Sequence, residues 1–202
     1  MSYFYIKNFF SLASMIYMQN HFLPNLNQFC KLTNIPCISD NTADFLANQL
    51  YIYKPKNYLE IWCAAGYSII YISNIIWQRG GSSIGFEISY PNFAIAKNHI
   101  YCSWLDNIDL TLENFNLFDT QLWIDNNTKF DFVMIDAKKS DYHKFLIKIR
   151  PFVIDGGVII CDDVVKYADK MPELYDYLAD NHIYYEIVWL DQDDGIIKII
   201  KK

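Results

Sequence analysis

From Tyr58 onward, short apolar runs alternate with helical stretches, and this alternation limits the chain to very few folds. Tyr58–Trp62, Ser83–Ile88, Ile108–Leu112, Phe130–Ile135 and Val158–Cys161 read as strands. Tyr67–Trp77, a stretch opened by Pro91, and Tyr142–Ile149 read as helices between them, with Pro91 at a favoured first-turn position. Strands separated by helices run parallel, joined by right-handed crossovers. Gly156-Gly157 is expected to turn the chain into the fifth strand, and Pro172 to open a helix through Asp180. The last two apolar runs, Ile183–Leu190 and Gly195–Ile200, are joined only by the acidic turn DQDD, which is short enough for an antiparallel hairpin. The expectation is an α/β protein. Its Rossmann-like, doubly wound sheet has five parallel strands plus a C-terminal antiparallel hairpin.

Residues 1–57 read as an N-terminal helical cap and residues 58–202 as the α/β core of a single domain. Thr42 reads as a helix N-cap, with Phe45, Leu46 and Leu50 on one face after it, and Lys54-Pro55-Lys56 ends that helix. Phe9–Met18 is apolar, but it lacks a small-residue cleavage pattern and is too short to span a bilayer. It reads as an amphipathic helix against the domain or a partner subunit. A hydrophobic fraction of 52% rules out a disordered chain, and a net charge of −6 offers no global attraction to nucleic acid or anionic membrane. Cys30, Cys37, Cys63, Cys102 and Cys161 form no CxxC pair, as expected of reduced thiols in a cytoplasmic protein.

Candidate chemistry lies at the C-terminal ends of the parallel strands, where open α/β sheets bind ligands. The first strand-to-helix turn, Glu60–Ser68, keeps one glycine, Gly66, of the dinucleotide pattern GxGxxG. Glu87 ends the second strand 21 residues beyond Gly66, the distance at which an acid accepts from ribose hydroxyls. Asp136 and Asp162 follow the fourth and fifth strands. On neighbouring strands they would be about 5 Å apart, close enough to repel unless one is protonated or a cation lies between them. An all-oxygen set favours Mg²⁺, with Mn²⁺ or Ca²⁺ as alternatives, and Asp163 would be a third ligand. The alternative is that these acids cap the following helices. Lys139, three residues past Asp136, would lie near the cation with a depressed pKa and act as a base. The plainer reading is a solvated lysine beside Lys138. His143 and His182 have no matching ligand set and read as structural or exposed, and Lys144, Lys148 and Arg150 as a positive helix end.

In this order, NIPCIS, YLEIWCAAGYS, GFEIS, FDFVMIDAKKSDY, GGVIICDDVV and DGIIKI resemble the class I S-adenosylmethionine-dependent O-methyltransferases. They are most similar to the cation-dependent branch that includes catechol and caffeoyl-CoA methyltransferases. Within it the chain resembles small bacterial members, some of which methylate 5-hydroxyuridine in tRNA. The resemblance runs from about Ile35 to Lys201 and implies the seven-stranded methyltransferase fold. It implies that Ile38, Glu60, Ala64, Gly66 and Ser68 surround the methionine part of S-adenosylmethionine, that Glu87 binds its ribose, and that Asn114 lies near its adenine. Asp136 would touch both the cofactor and a divalent cation held with Asp162 and Asp163, and Lys139 would be the base. The implied acceptor is a metal-bound hydroxyl of a small phenolic or catechol-like molecule, or a hydroxylated tRNA base, and a homodimer is implied. Two residues depart from the family pattern: Trp62 replaces a usual glycine and Asp163 a usual asparagine. Those departures raise a second reading, a binding protein that keeps the fold without catalysis. A third, a nicotinamide-dependent oxidoreductase, is opposed by the missing GxGxxG and by paired acids that hydride transfer does not need.

Overall fold

The computed structural model describes residues 17–202, so most of the apolar run Phe9–Met18 lies outside the described residues. A π-helical turn, Met18–Phe22, leads into α1 (Leu23–Thr33), which ends at Asn34 in the left-handed conformation. Helix α2 spans Asp40–Tyr53. Its N-cap is Ser39, not Thr42: the Ser39 hydroxyl accepts from the Thr42 backbone N–H, so Thr42 lies inside the first turn. Lys54, left-handed at φ 49°, ends the helix as expected just before Pro55.

The core then alternates β1 (Asn57–Ile61), α3 (Tyr67–Trp77), β2 (Ser82–Glu87), α4 (Tyr90–Ser103) and β3 (Ile108–Leu112). After a short α5 (Gln121–Asp125), which the sequence pattern did not reveal, come β4 (Phe130–Ile135), α6 (Tyr142–Ile149), β5 (Val153–Cys161), α7 (Pro172–Asp180), β6 (Tyr185–Trp189) and β7 (Gly195–Ile200). The sheet order is β3-β2-β1-β4-β5-β7-β6. Strands β1 to β5 pair in parallel, and β7 runs antiparallel between β5 and β6. Several boundaries differ from expectation: β2 is shifted back by one residue at each end and β6 is shorter at both ends. Trp62, at φ 69°, has already left β1. Gly156-Gly157 is not a turn before β5 but an irregularity inside it, where the register against β4 shifts between Phe130 and Phe132.

Alternating residues along each strand feed two buried layers. Tyr58, Phe132, Met134, Val158 and Ile160 face α1 to α4, packing with Leu46, Leu50, Ile69 and Ile72. Leu59, Ile61, Val133, Ile135 and Ile159 face α6 and α7, packing with Phe145, Leu146, Leu174 and Leu178. The central strands β1 and β4 and the second half of β5 are therefore buried on both faces, which is why they read as continuous apolar runs. Among the described residues no helix is long and apolar enough to cross a membrane.

Candidate active site

Parallel pairing sets the site. Ile61 is level with Ile135, and Ile135 with Cys161, so the residues that follow β1, β4 and β5 emerge side by side. The Asp136 N–H donates to the Ile61 carbonyl (3.2 Å) and the Asp162 N–H to the Ile135 carbonyl (3.0 Å), which carries the sheet register one residue past the strands. Asp136, Asp162 and Asp163 line one cavity of about 200 Å³, closed on its other side by Ile38, Ser39 and Thr42.

Lys139 sits at the centre of these acids. Its Nζ lies 3.2 Å from Asp136 Oδ1 and 3.1 Å from Asp163 Oδ2. It also donates to the Tyr142 hydroxyl (2.7 Å) and, more distantly, to the Asp162 carbonyl (3.4 Å). The fully buried Tyr142 holds this corner together, because its hydroxyl donates to the Asp162 carbonyl and accepts from the Ala137 N–H. Burial pulls the Lys139 pKa down, but the carboxylates of Asp136 and Asp163 outweigh it and hold the ammonium above its ordinary value. This reverses the expected direction, which presupposed a neighbouring cation. Burial, and then repulsion from Asp136 and Asp163, push Asp162 well above the usual carboxylate range.

The donor chemistry of three carboxylates suits a hard divalent ion, but their arrangement does not. Asp162 Oδ1 is turned back to accept from the Asp163 N–H (3.0 Å). The ammonium of Lys139 stands between Asp136 and Asp163, and among the described residues no three acidic, histidine or cysteine side chains converge as a cation site.

The turn after β1 forms the second half of the site. Trp62, Ala64 and Gly66 all have positive φ (69°, 45° and 86°). Only Gly66 is suited to that conformation, and it also lets α3 approach α4: a Cβ there would stand 3.2 Å from the Ala96 Cβ. The Trp62 ring packs on the buried layer beneath α5 to α7, and its indole N–H finds no partner. Glu87 braces the turn, accepting from the Ala64 N–H (2.8 Å) with one oxygen and the Ser89 N–H (2.7 Å) with the other. A carboxylate has about four acceptor positions, so these backbone contacts do not exhaust it. Below the turn, Glu60 is fully buried and accepts from the Tyr58 hydroxyl (2.6 Å) and the Ser68 hydroxyl. Burial raises its pKa to about 8 despite those two bonds.

The structure thus gathers Ile38, Asp136, Asp162, Asp163 and Lys139 in one place, links Ala64 to Glu87, and links Glu60 to Ser68. Asn114 joins none of these; its side chain accepts from the Asn116 N–H. Lys148, expected to balance a helix dipole, instead donates to the carbonyls of Phe115 (2.7 Å) and Asn116 (3.1 Å), tying down the loop after Asn114. Sequence reasoning missed three supports. Tyr142 positions Lys139. His99 Nδ1 contacts the Ala65 carbonyl at 2.8 Å and steadies the first turn. Asp191 accepts from Ser39 (2.9 Å) and Asn41 (2.8 Å), latching the β6–β7 loop to the N-terminus of α2. A larger cavity of about 620 Å³ lies between α1 and α3, lined by Leu23, Asn27, Tyr67 and Tyr71, and none of the candidate residues reaches it.

The profile of the O-methyltransferase family matches residues 16–193. A catechol O-methyltransferase of Niastella koreensis is 25% identical over 138 residues, which make up 67% of this chain and 62% of that protein. The match therefore spans less than two thirds of that relative. Among solved structures, the O-methyltransferase from Bacillus cereus in complex with SAH superposes with a TM-score of 0.76 at 23% identity, covering 94% of this chain and 97% of that one. An SAH-bound methyltransferase of Podospora anserina gives a TM-score of 0.73 at 19% identity, covering 90% and 88%. At these identities the structural likeness speaks for the fold, the seven-stranded sheet described above.

Proposed function

The chain belongs to the O-methyltransferase family, and on that premise we propose that it moves a methyl group from S-adenosylmethionine to a hydroxyl oxygen of a small hydroxylated molecule. The observation that carries this reading is the level row of strand ends. It sets a charged Lys139 and three aspartates beside a tight turn braced by Glu87. Glu60, Ala64, Gly66 and Ser68 would bound the amino-acid end of the cofactor, and Glu87 would accept from the ribose. Asn114 would lie at the adenine end. The cofactor supplies an electrophilic methyl carbon on a sulfonium.

The chain's own residues would supply position and charge. An acceptor hydroxyl entering the cavity beneath Ile38 would first meet Asp136, Asp162 and Asp163, with the Lys139 ammonium against two of them. By giving up its longest contact, the one to the Asp162 carbonyl at 3.4 Å, that ammonium would donate to the attacking oxygen rather than take its proton, and it would steady the negative charge that grows there. The proton passes to a neighbouring carboxylate, of which the half-exposed Asp163 is the most accessible. Holding oxygen and methyl carbon in line would supply much of the rate. A cavity of about 200 Å³ admits the reacting end of a small acceptor, and the net charge of −6 argues for a small molecule over tRNA.

The test is methyl transfer from labelled S-adenosylmethionine to a panel of catechols, with hydroxyuridine-bearing tRNA alongside. The expected outcome is a methylated catechol. Lys139→Met is expected to lower turnover by about 100-fold or more while leaving cofactor affinity within about threefold. Cofactor binding without transfer to any acceptor would favour the non-catalytic reading instead.

A further inference from the structure

Lys139 has an oxygen shell of its own. Tyr142 Oη, Asp163 Oδ2, Asp136 Oδ1 and the Asp162 carbonyl stand 2.7, 3.1, 3.2 and 3.4 Å from its nitrogen. An ammonium has three N–H donors, and four oxygens at these distances satisfy all of them. Divalent ions need a tighter cage, with oxygens at about 2.1 Å for Mg²⁺ and about 2.4 Å for Ca²⁺. Charged oxygens stand on two sides of the shell. Asp136 precedes Lys139 by three residues, and Asp163 brings a second charged oxygen from the next strand end. Asp162 contributes its carbonyl, while its carboxylate is turned toward the Asp163 N–H.

We infer that Lys139 is the resident cation of this acidic centre and keeps divalent ions out of it. The lysine is tethered three residues from Asp136, so its effective concentration at the site is on the order of millimolar or higher. A divalent ion would have to evict the ammonium, draw the oxygens in by nearly 1 Å, and turn the Asp162 carboxylate around. The centre therefore stays charged and compact without metal. This inference concerns ion binding alone and stands apart from the proposed methyl transfer.

The test is a titration of the full chain with Mn²⁺, read by the loss of the free-ion electron paramagnetic resonance signal. Wild type is compared with Lys139→Met and Lys139→Gln, each checked for folding by circular dichroism. S-Adenosylmethionine binding, measured in the same samples, reports on the functional reading separately. Wild type is expected to bind no Mn²⁺ below about 1 mM. At least one folded variant is expected to gain a single site that is about tenfold tighter or better. One Mn²⁺ bound by wild type as tightly as by the variants would overturn the inference, as would folded variants that gain no site.

Discussion

Glu60 shows how one residue can bind pH to stability. It lies fully buried between the Tyr58 and Ser68 hydroxyls, and burial raises its pKa to about 8 from an ordinary 4.5. The folded state therefore holds a proton that the unfolded chain has released. The stabilising contribution is whole below about pH 4.5 and is lost as pH rises through about 8, on the order of 3–5 kcal/mol across the window. Glu60→Gln cannot ionise. Thermal melts between pH 5 and 9 should show wild type losing stability relative to the variant as pH rises; parallel curves would mean the carboxyl is already ionised in the fold. Trp62 carries the opposite lesson. It stands where the family pattern has a glycine, so its bulk would weaken cofactor binding unless the ring pointed into the core, and the positive φ of a bulky residue does cost about 1–2 kcal/mol. Yet the ring packs on the buried layer under α5 to α7, because a left-handed backbone re-aims the side chain. That could not be read from a motif.

Among the elements, the junction of α2 with the β6–β7 loop lines the same cavity as the acids. Ser39 caps α2, and the same hydroxyl donates to Asp191, so one side chain both starts the helix and closes the cavity under Ile38. Ser39→Ala should cost about 1–2 kcal/mol. It should also speed amide hydrogen exchange over residues 35–39 relative to the core strands, whereas unchanged exchange there would show that the latch is not what holds the loop. The sequence announced the strands and their end acids because continuous apolar runs and abrupt charges are local signals. Phe130–Ile135 and Ile108–Leu112 have the predicted bounds. The latch was invisible because Ser39 and Asp191 are 152 residues apart. The length of β5 was missed for a related reason. A glycine pair in isolation spells a turn, and only pairing with β4 makes it an irregularity within a strand. Lys139 does lie beside Asp136, and the two carboxylates that hold its ammonium are Asp136 and then Asp163, the latter a partner from another strand end that no local motif could announce.

At the scale of the whole molecule, a sheet covered on both faces leaves its chemistry to one edge, the row of parallel strand ends. The acids at the ends of β2, β4 and β5, and the turn after β1, all lie along it. Whether this row binds S-adenosylmethionine is decided by calorimetric titration of the cofactor into the full chain. Saturable one-to-one binding is expected, with a Kd on the order of micromolar, unchanged by EDTA and weakened about tenfold or more by Glu87→Gln. No heat of binding at millimolar cofactor, from folded protein, would contradict it.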